Sequence, residues 1–118
     1  MRILTQLLLG GLLFFLVAAA AEEKFGVPVF AGATFDQQNS EAAAKNSKRP
    51  TACYITKATV AQVNAFYKKQ SGVVVLNDST HSGLFIFGSV NVSTQSPWPD
   101  AKDKQVRNDT LITLIKTE

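Results

Sequence analysis

The chain carries a single cysteine, Cys53, and a single histidine, His81. One of each, far apart, gives no ligand spacing for a metal and no partner for an intramolecular disulfide. No Cys-x-x-Cys-His run offers a haem attachment and no glycine-rich loop is built to cradle phosphates, so no cofactor is expected. A hydrolytic triad is also short of parts. His81 lies in Asp78-Ser79-Thr80-His81-Ser82, and neighbours in one turn cannot converge on a reacting atom, whereas a turn between strands needs such polar residues. No catalytic residue is assigned. An excess of one charge is missing too, with 12 Lys and Arg against 9 Asp and Glu. The basic stretches at 45–49 and 102–107 are interrupted by polar or acidic residues and read as solvated surface, so no nucleic-acid partner is expected.

What is present begins with residues 1–21. Arg2, an apolar run over 7–17 and four alanines at 18–21 before Glu22 and Glu23 follow the signal-peptide pattern, with cleavage after Ala20 or Ala21. Left uncleaved, the same run approaches the length of a membrane anchor, which is the only membrane contact expected. No cysteine stands at the junction for a lipid. Residues 22–118 then form one small domain with a modest core, exported to the periplasm or secreted. Its Arg2 gone, the domain keeps eleven basic and nine acidic residues.

The remaining chain is organised around 59–72. Val60, Val63, Phe66 and Tyr67 share one side at helical spacing, and Gln62, Ala65, Lys68 and Lys69 the other. Thr59 is a natural N-cap with Gln62 placed for a capping box, and Gly72 closes the segment. A helix of about three turns is marginal alone, so its apolar stripe must lie on something. Residues 51–57 alternate Cys53 and Ile55 against Ala52, Tyr54 and Thr56 as a strand. Val73, Val74, Val75 and Leu76 suit a central strand, and 84–92 a longer one with Leu84, Ile86, Val90 and Val92 on one face and Gly88 marking a bulge or a close backbone approach. Residues 110–116 close the chain, with Leu111 and Ile115 opposite Ile112 and Leu114. Residues 25–35 read as an edge strand or arm with a turn at Ala31-Gly32, because Pro28 cannot donate to a ladder. Residues 36–49 are polar, with one helical turn over 40–45, and 93–109 read as a long loop.

The expected fold class is therefore α+β, one main helix packed on a mostly antiparallel sheet of about four strands. The strands carry apolar groups on both faces, yet one helix covers only one. The arm and the Trp98 loop are one candidate cover, and a second copy of the chain, forming a homodimer through that face, is the other.

Trp98, Tyr67 and Tyr54 are the aromatics with a polar handle, and they are the candidate binding residues. Trp98, held between Pro97 and Pro99, is the foremost, since rigid aromatics on loops are common anchors. Cys53, beside Ile55 on a strand, reads as a small buried hydrophobe. Asn77, Asn91 and Asn108 each head an N-glycosylation tripeptide, relevant only in a eukaryotic host.

With Val27-Pro28-Val29, Gly32-Ala33, Tyr54-x-Thr56 and Val63-x-x-Phe66-Tyr67-Lys68 in view, residues 27–69 resemble a group of small bacterial exported proteins. Their opening has the form V-P-x-x-P-G-A; Ala31 stands at its second proline. The resemblance implies export and fold, and no activity. A second resemblance, carried by Pro97-Trp98 and a helix across a sheet, is to cystatin-type protease inhibitors, though their Q-x-V-x-G loop is missing. The expected function is a non-enzymatic binding or interaction module acting through the sheet face or the Trp98 loop. A protease inhibitor is the alternative, as is a small enzyme using Tyr67, His81 or Cys53.

Overall fold

A computed structural model describes residues 22–118. The signal segment read at 1–21, with both cleavage positions, lies outside the described residues. In chain order the elements are β1 (Glu23–Lys24), β2 (Val27–Pro28), β3 (Thr34–Phe35), α1 (Gln37–Ser47), β4 (Thr51–Thr56), α2 (Val60–Lys68), β5 (Val74–Asp78), β6 (Ser82–Phe87), β7 (Val90–Gln95), β8 (Trp98–Pro99), β9 (Val106–Arg107) and β10 (Thr110–Lys116). Six strands form one antiparallel sheet in the order β3-β4-β10-β7-β6-β5, while β1–β2 and β8–β9 are separate small hairpins. The class is α+β as expected, with a second helix and a wider sheet.

The central helix α2 starts where its signals place it. Thr59 accepts from the Gln62 N–H at 3.1 Å, and Gln62 Oε1 accepts from the Thr59 N–H at 2.9 Å, the reciprocal capping box. Its buried face is Val60, Val63, Asn64 and Tyr67. This face lies on the side of the sheet formed by Tyr54, Phe85, Val92, Ile112 and Leu114, together with Val27 and Val29 of the N-terminal arm. The Tyr67 hydroxyl donates to the Pro28 carbonyl at 2.9 Å, pinning the arm to the helix. The β1–β2 turn has both central residues at positive φ, Phe25 at 56° and Gly26 at 81°. That geometry matches the twist of a two-residue hairpin.

Several expectations change. The polar segment 36–49 is a full helix, α1, capped by the Asp36 carboxylate on the Asn39 N–H and stopped by Lys48 in the left-handed region. Gly88, at φ 59°, makes a turn rather than a bulge, so 84–92 is split into β6 and β7. Leu84 and Ile86 then fall on the opposite face from Val90 and Val92, because Leu84 pairs with Ser93 and Phe85 with Val92. The apolar run after Gly72 is the sheet's edge, not its centre: Val74, Val75 and Leu76 in β5 are 55%, 42% and 61% exposed. A register shift between Val75 and Asn77 interrupts this edge ladder. The loop read at 93–109 supplies the end of β7 and the β8–β9 hairpin.

The second face is covered in part. α1 and the β8–β9 segment lie over it, with Asn39, Ala42, Ala43, Asn46, Pro99 and Ala101 around Cys53, Leu111 and Thr113. Leu84, Ile86 and Ile115 on the same face are half-exposed. The arm, one of the candidate covers for this face, lies instead with α2.

Candidate functional site

The three aromatics singled out in the sequence are all buried, at 1% for Trp98 and Tyr54 and 0% for Tyr67. None presents a ring to solvent. Burial pushes the Tyr67 phenol well above its ordinary range. Burial, with the Glu22 carboxylate that accepts the Tyr54 hydroxyl at 3.0 Å, pushes Tyr54 up to about 12. Both are therefore neutral hydrogen-bond donors at physiological pH. Nor do the enzyme candidates converge. Cys53 lies under α1, Tyr67 lies on the other side of the sheet with α2, and His81 is on the exposed β5–β6 turn, its Nδ1 3.3 Å from the Ser96 carbonyl. Among the described residues no group of three or more His, Cys, Asp or Glu is placed to hold a metal ion. Among them, too, no helix is long and apolar enough to cross a membrane.

Trp98 nonetheless leads to a site. Its indole N–H donates to Asp109 Oδ1 at 2.9 Å, which fixes the start of the β8–β9 hairpin. Across that hairpin Trp98 pairs with Arg107. The hairpin is tied to the start of α1 by a buried polar network centred on Asn39. The Asn39 side-chain amide donates to Asp36 Oδ2 at 2.6 Å and to Asp100 Oδ1 at 3.0 Å, while its Oδ1 accepts from the Ala101 N–H at 2.9 Å. Asn39 thus satisfies three partners from two segments, the sort of buried network that holds a unique geometry.

The network borders a cavity of about 510 Å³ lined by Gly32, Thr34, Asp36, Ile55, Thr56, Lys57, Ala58, Lys102 and Arg107. That volume is in the range that holds small ligands. Lys102 Nζ reaches Asp36 Oδ1 at 3.0 Å and lies 3.7 Å from Asp100 Oδ2. Arg107 comes within 3.6 Å of the same oxygen. Asp100 itself is 1% exposed, and its Oδ2 is the one buried side-chain polar atom without a hydrogen bond among the described residues. The Lys102 backbone N–H, with help from Asn39 and the two cations and against the opposing effect of burial, holds the Asp100 carboxyl below the ordinary carboxylate range. Burial would raise Asp36, but the donors from Asn39 and Lys102 outweigh it and lower that carboxyl too. Its bond to Asp36 in turn raises the Lys102 ammonium. Asp36, Asp100 and Lys102 are therefore all charged at neutral pH.

No direct signal for this site is legible in the sequence. Residues 102–107 read as solvated surface, Asp100 falls in the stretch read as a long loop, and Asn39 in the polar segment 36–49. The usable hint was Asp36 and Asn39 at capping spacing, which places a helix start where the cavity wall stands.

The chain matches no family model, no curated protein and no solved structure.

Proposed function

We propose that the chain is an exported, non-enzymatic binding module, acting in the periplasm or outside the cell, and that its ligand lies in the cavity bordered by Lys57, Lys102 and Arg107. One observation carries the reading: a buried carboxylate oxygen of Asp100 faces two cations on the cavity wall without hydrogen-bonding either. The Lys102 backbone N–H, Asn39 and the two cations keep this carboxylate ionised, so its charge stays in place to hold those cations on the wall. Cationic side chains positioned in this way bind a ligand with less loss of side-chain freedom. Export rests on the alanine run before Glu22 and on the resemblance of 27–69 to small exported proteins.

Native mass spectrometry, without reductant, on the protein purified from its own compartment tests this. The expected spectrum shows a chain shortened by 20 or 21 residues with a retained small mass, and Arg107→Gln lacks that mass. An unprocessed chain would remove export, and a processed chain with no retained mass at any concentration would count against the cavity.

A second reading, a homodimer, is favoured by the exposed apolar edge of β5 and the half-exposed Leu84, Ile86 and Ile115. An unpaired edge strand presents a free ladder to a second chain, and a two-fold pairing would bury the same residues on both copies. A doubled mass that Leu76→Lys abolishes would support it.

A further inference from the structure

The ligand class can be narrowed from the charges on the cavity wall, an inference that rests on the binding reading above. Three cations and one carboxylate line the space. The carboxylate, Asp36, is already engaged, with Lys102 Nζ on Oδ1 and the Asn39 backbone and side-chain N–H groups on Oδ2. Asp100 stands behind the wall and accepts from Asn39 and from the Lys102 backbone N–H through Oδ1. Set against these two carboxylates are Lys57, Lys102 and Arg107. The balance leaves one positive charge in excess. Among the described residues Lys57 makes no ion pair, and the Arg107 guanidinium makes only the long contact to Asp100. Arg107 has five N–H donors in a planar fork suited to an oxyanion, and among the described residues no hydrogen bond uses them.

We propose that this cavity binds a small soluble oxyanion, a carboxylate or phosphate group, held by Lys57, Lys102 and Arg107. A cationic ligand is disfavoured because both carboxylates already face fixed ammonium or guanidinium groups. An apolar ligand would desolvate Lys57 without a partner and Arg107 with only its long contact to Asp100. An oxyanion supplies what the wall lacks, acceptor oxygens for donors that the protein does not satisfy itself. Charge-assisted bonds of that kind are about twice as strong as neutral ones. The two carboxylates then act as positioning groups: Asp36 holds the Lys102 ammonium by a hydrogen bond, and the charge of Asp100 attracts both Lys102 and Arg107.

The test is an amide chemical-shift titration of the isotope-labelled protein, in the form the producing cell accumulates, with inorganic phosphate, with citrate and with anionic phospholipid vesicles. Saturable shifts at Thr34, Lys57, Lys102 and Arg107 with phosphate or citrate are expected. Loss of one charge-assisted contact in Arg107→Gln or Lys57→Gln should weaken binding by about tenfold. Lys45→Gln, on the exposed side of α1, should bind as the parent does. Asp100→Asn, which keeps the Asn39 contact and removes the charge behind the cations, should weaken binding less than Arg107→Gln. No saturable response, shifts spread over surface lysines, or a response to vesicles alone would overturn the proposal. If oxyanions fail while the purified protein still carries a mass that Arg107→Gln removes, this inference falls and the cavity reading stands. If both fail, both fall.

Discussion

Trp98 and Arg107 are cross-strand partners in the two-residue ladder of β8 and β9. Opposed residues in an antiparallel pair project to the same side, so the buried indole anchors the strand that carries the guanidinium. Trp98→Ala should therefore cost about 3–5 kcal/mol by emptying a buried aromatic site. Trp98→Phe keeps most of the ring but leaves Asp109 without its donor, at about 1–2 kcal/mol. Urea unfolding measures both. If Trp98→Ala left the midpoint unchanged, the indole would not be an anchor.

The acid limb of stability should be set partly by the hairpin network. Asp36 and Asp100 have folded-state values below the ordinary 3.8. A depressed carboxyl contributes stability that is present above the unfolded value and is lost as pH falls through the folded one. The parent should thus lose stability steeply once pH drops below 3.8. Asp100→Asn should be less stable at neutral pH and fall less in acid. Lys102 has the opposite sense: its raised value adds stability that is present below 10.5 and lost as pH climbs through the folded value. Denaturant midpoints across pH for parent and Asp100→Asn would show the converging curves, and parallel curves would mean that Asp100 does not contribute.

Cys53 should behave as an inert core thiol. It is buried, its Sγ lies 3.6 Å from Thr113 Oγ1, and burial pushes its thiol above the ordinary value. A raised thiol is a poor nucleophile because the thiolate is the reactive form. Labelling by a thiol reagent should be slow in the native protein and fast in urea. Fast native labelling would show that α1 does not cover this face as described.

Lys48 offers a stabilising substitution. It stops α1 at φ 61°, ψ 31°, with its N–H on the Ala44 carbonyl. Left-handed backbone costs a residue with a Cβ about 1–2 kcal/mol, and glycine removes that cost while adding unfolded-state freedom. Lys48→Gly should gain about 0.5–1 kcal/mol, a rise of a few degrees in Tm for a domain of this size. Thermal unfolding followed by circular dichroism would detect it, and a lower Tm would mean that the lysine's charge at the helix end outweighs the backbone strain.

What could be read from the sequence follows from where periodicity carries information. Thr59 with Gln62 marked the start of α2, and alternation correctly separated Ile112 and Leu114 from Leu111 and Ile115 on β10. The helix α1 escaped because its buried residues, Asn39 and Ser40, are polar. It is held by bonds such as Asn39 to Asp100, 61 residues away, and Ser40 Oγ to the Cys53 N–H. An apolar stripe can be counted, whereas a buried amide looks like any surface amide. Val74, Val75 and Leu76 misled in the opposite direction: an apolar run suits a central strand, and only the strand order places it at an edge. The cavity was hidden for a related reason, since Lys57 meets Lys102 and Arg107 only after the β8–β9 hairpin docks on α1.

Asn64 makes the sharpest case, because it lies on the buried side of α2 with no exposure at all. Its amide donates to Asp78 Oδ1 at 3.1 Å and to the Ser79 and Ser82 carbonyls, while its Oδ1 accepts the Thr94 hydroxyl at 2.7 Å. One side chain thereby ties the helix to the β5–β6 turn and to β7. Gly83 lies directly under it: a Cβ there would stand 2.5 Å from Asn64 Oδ1, 2.6 Å from Thr94 Oγ1 and 2.8 Å from Phe85 Cε2. Gly83→Ala should cost about 1–3 kcal/mol by overpacking. Asn64→Ala should cost a similar amount, by leaving buried partners unsatisfied, of order 1–3 kcal/mol. The two are in contact, so they should not add. Asn64→Ala removes the closest clash and leaves those with Thr94 and Phe85, so the double variant should be less destabilised than the two single costs combined. A double-mutant cycle from urea unfolding reads the coupling directly. A coupling of zero would mean that the sheet moves away from α2 to admit the methyl, and that Asn64 does not set how close helix and sheet approach.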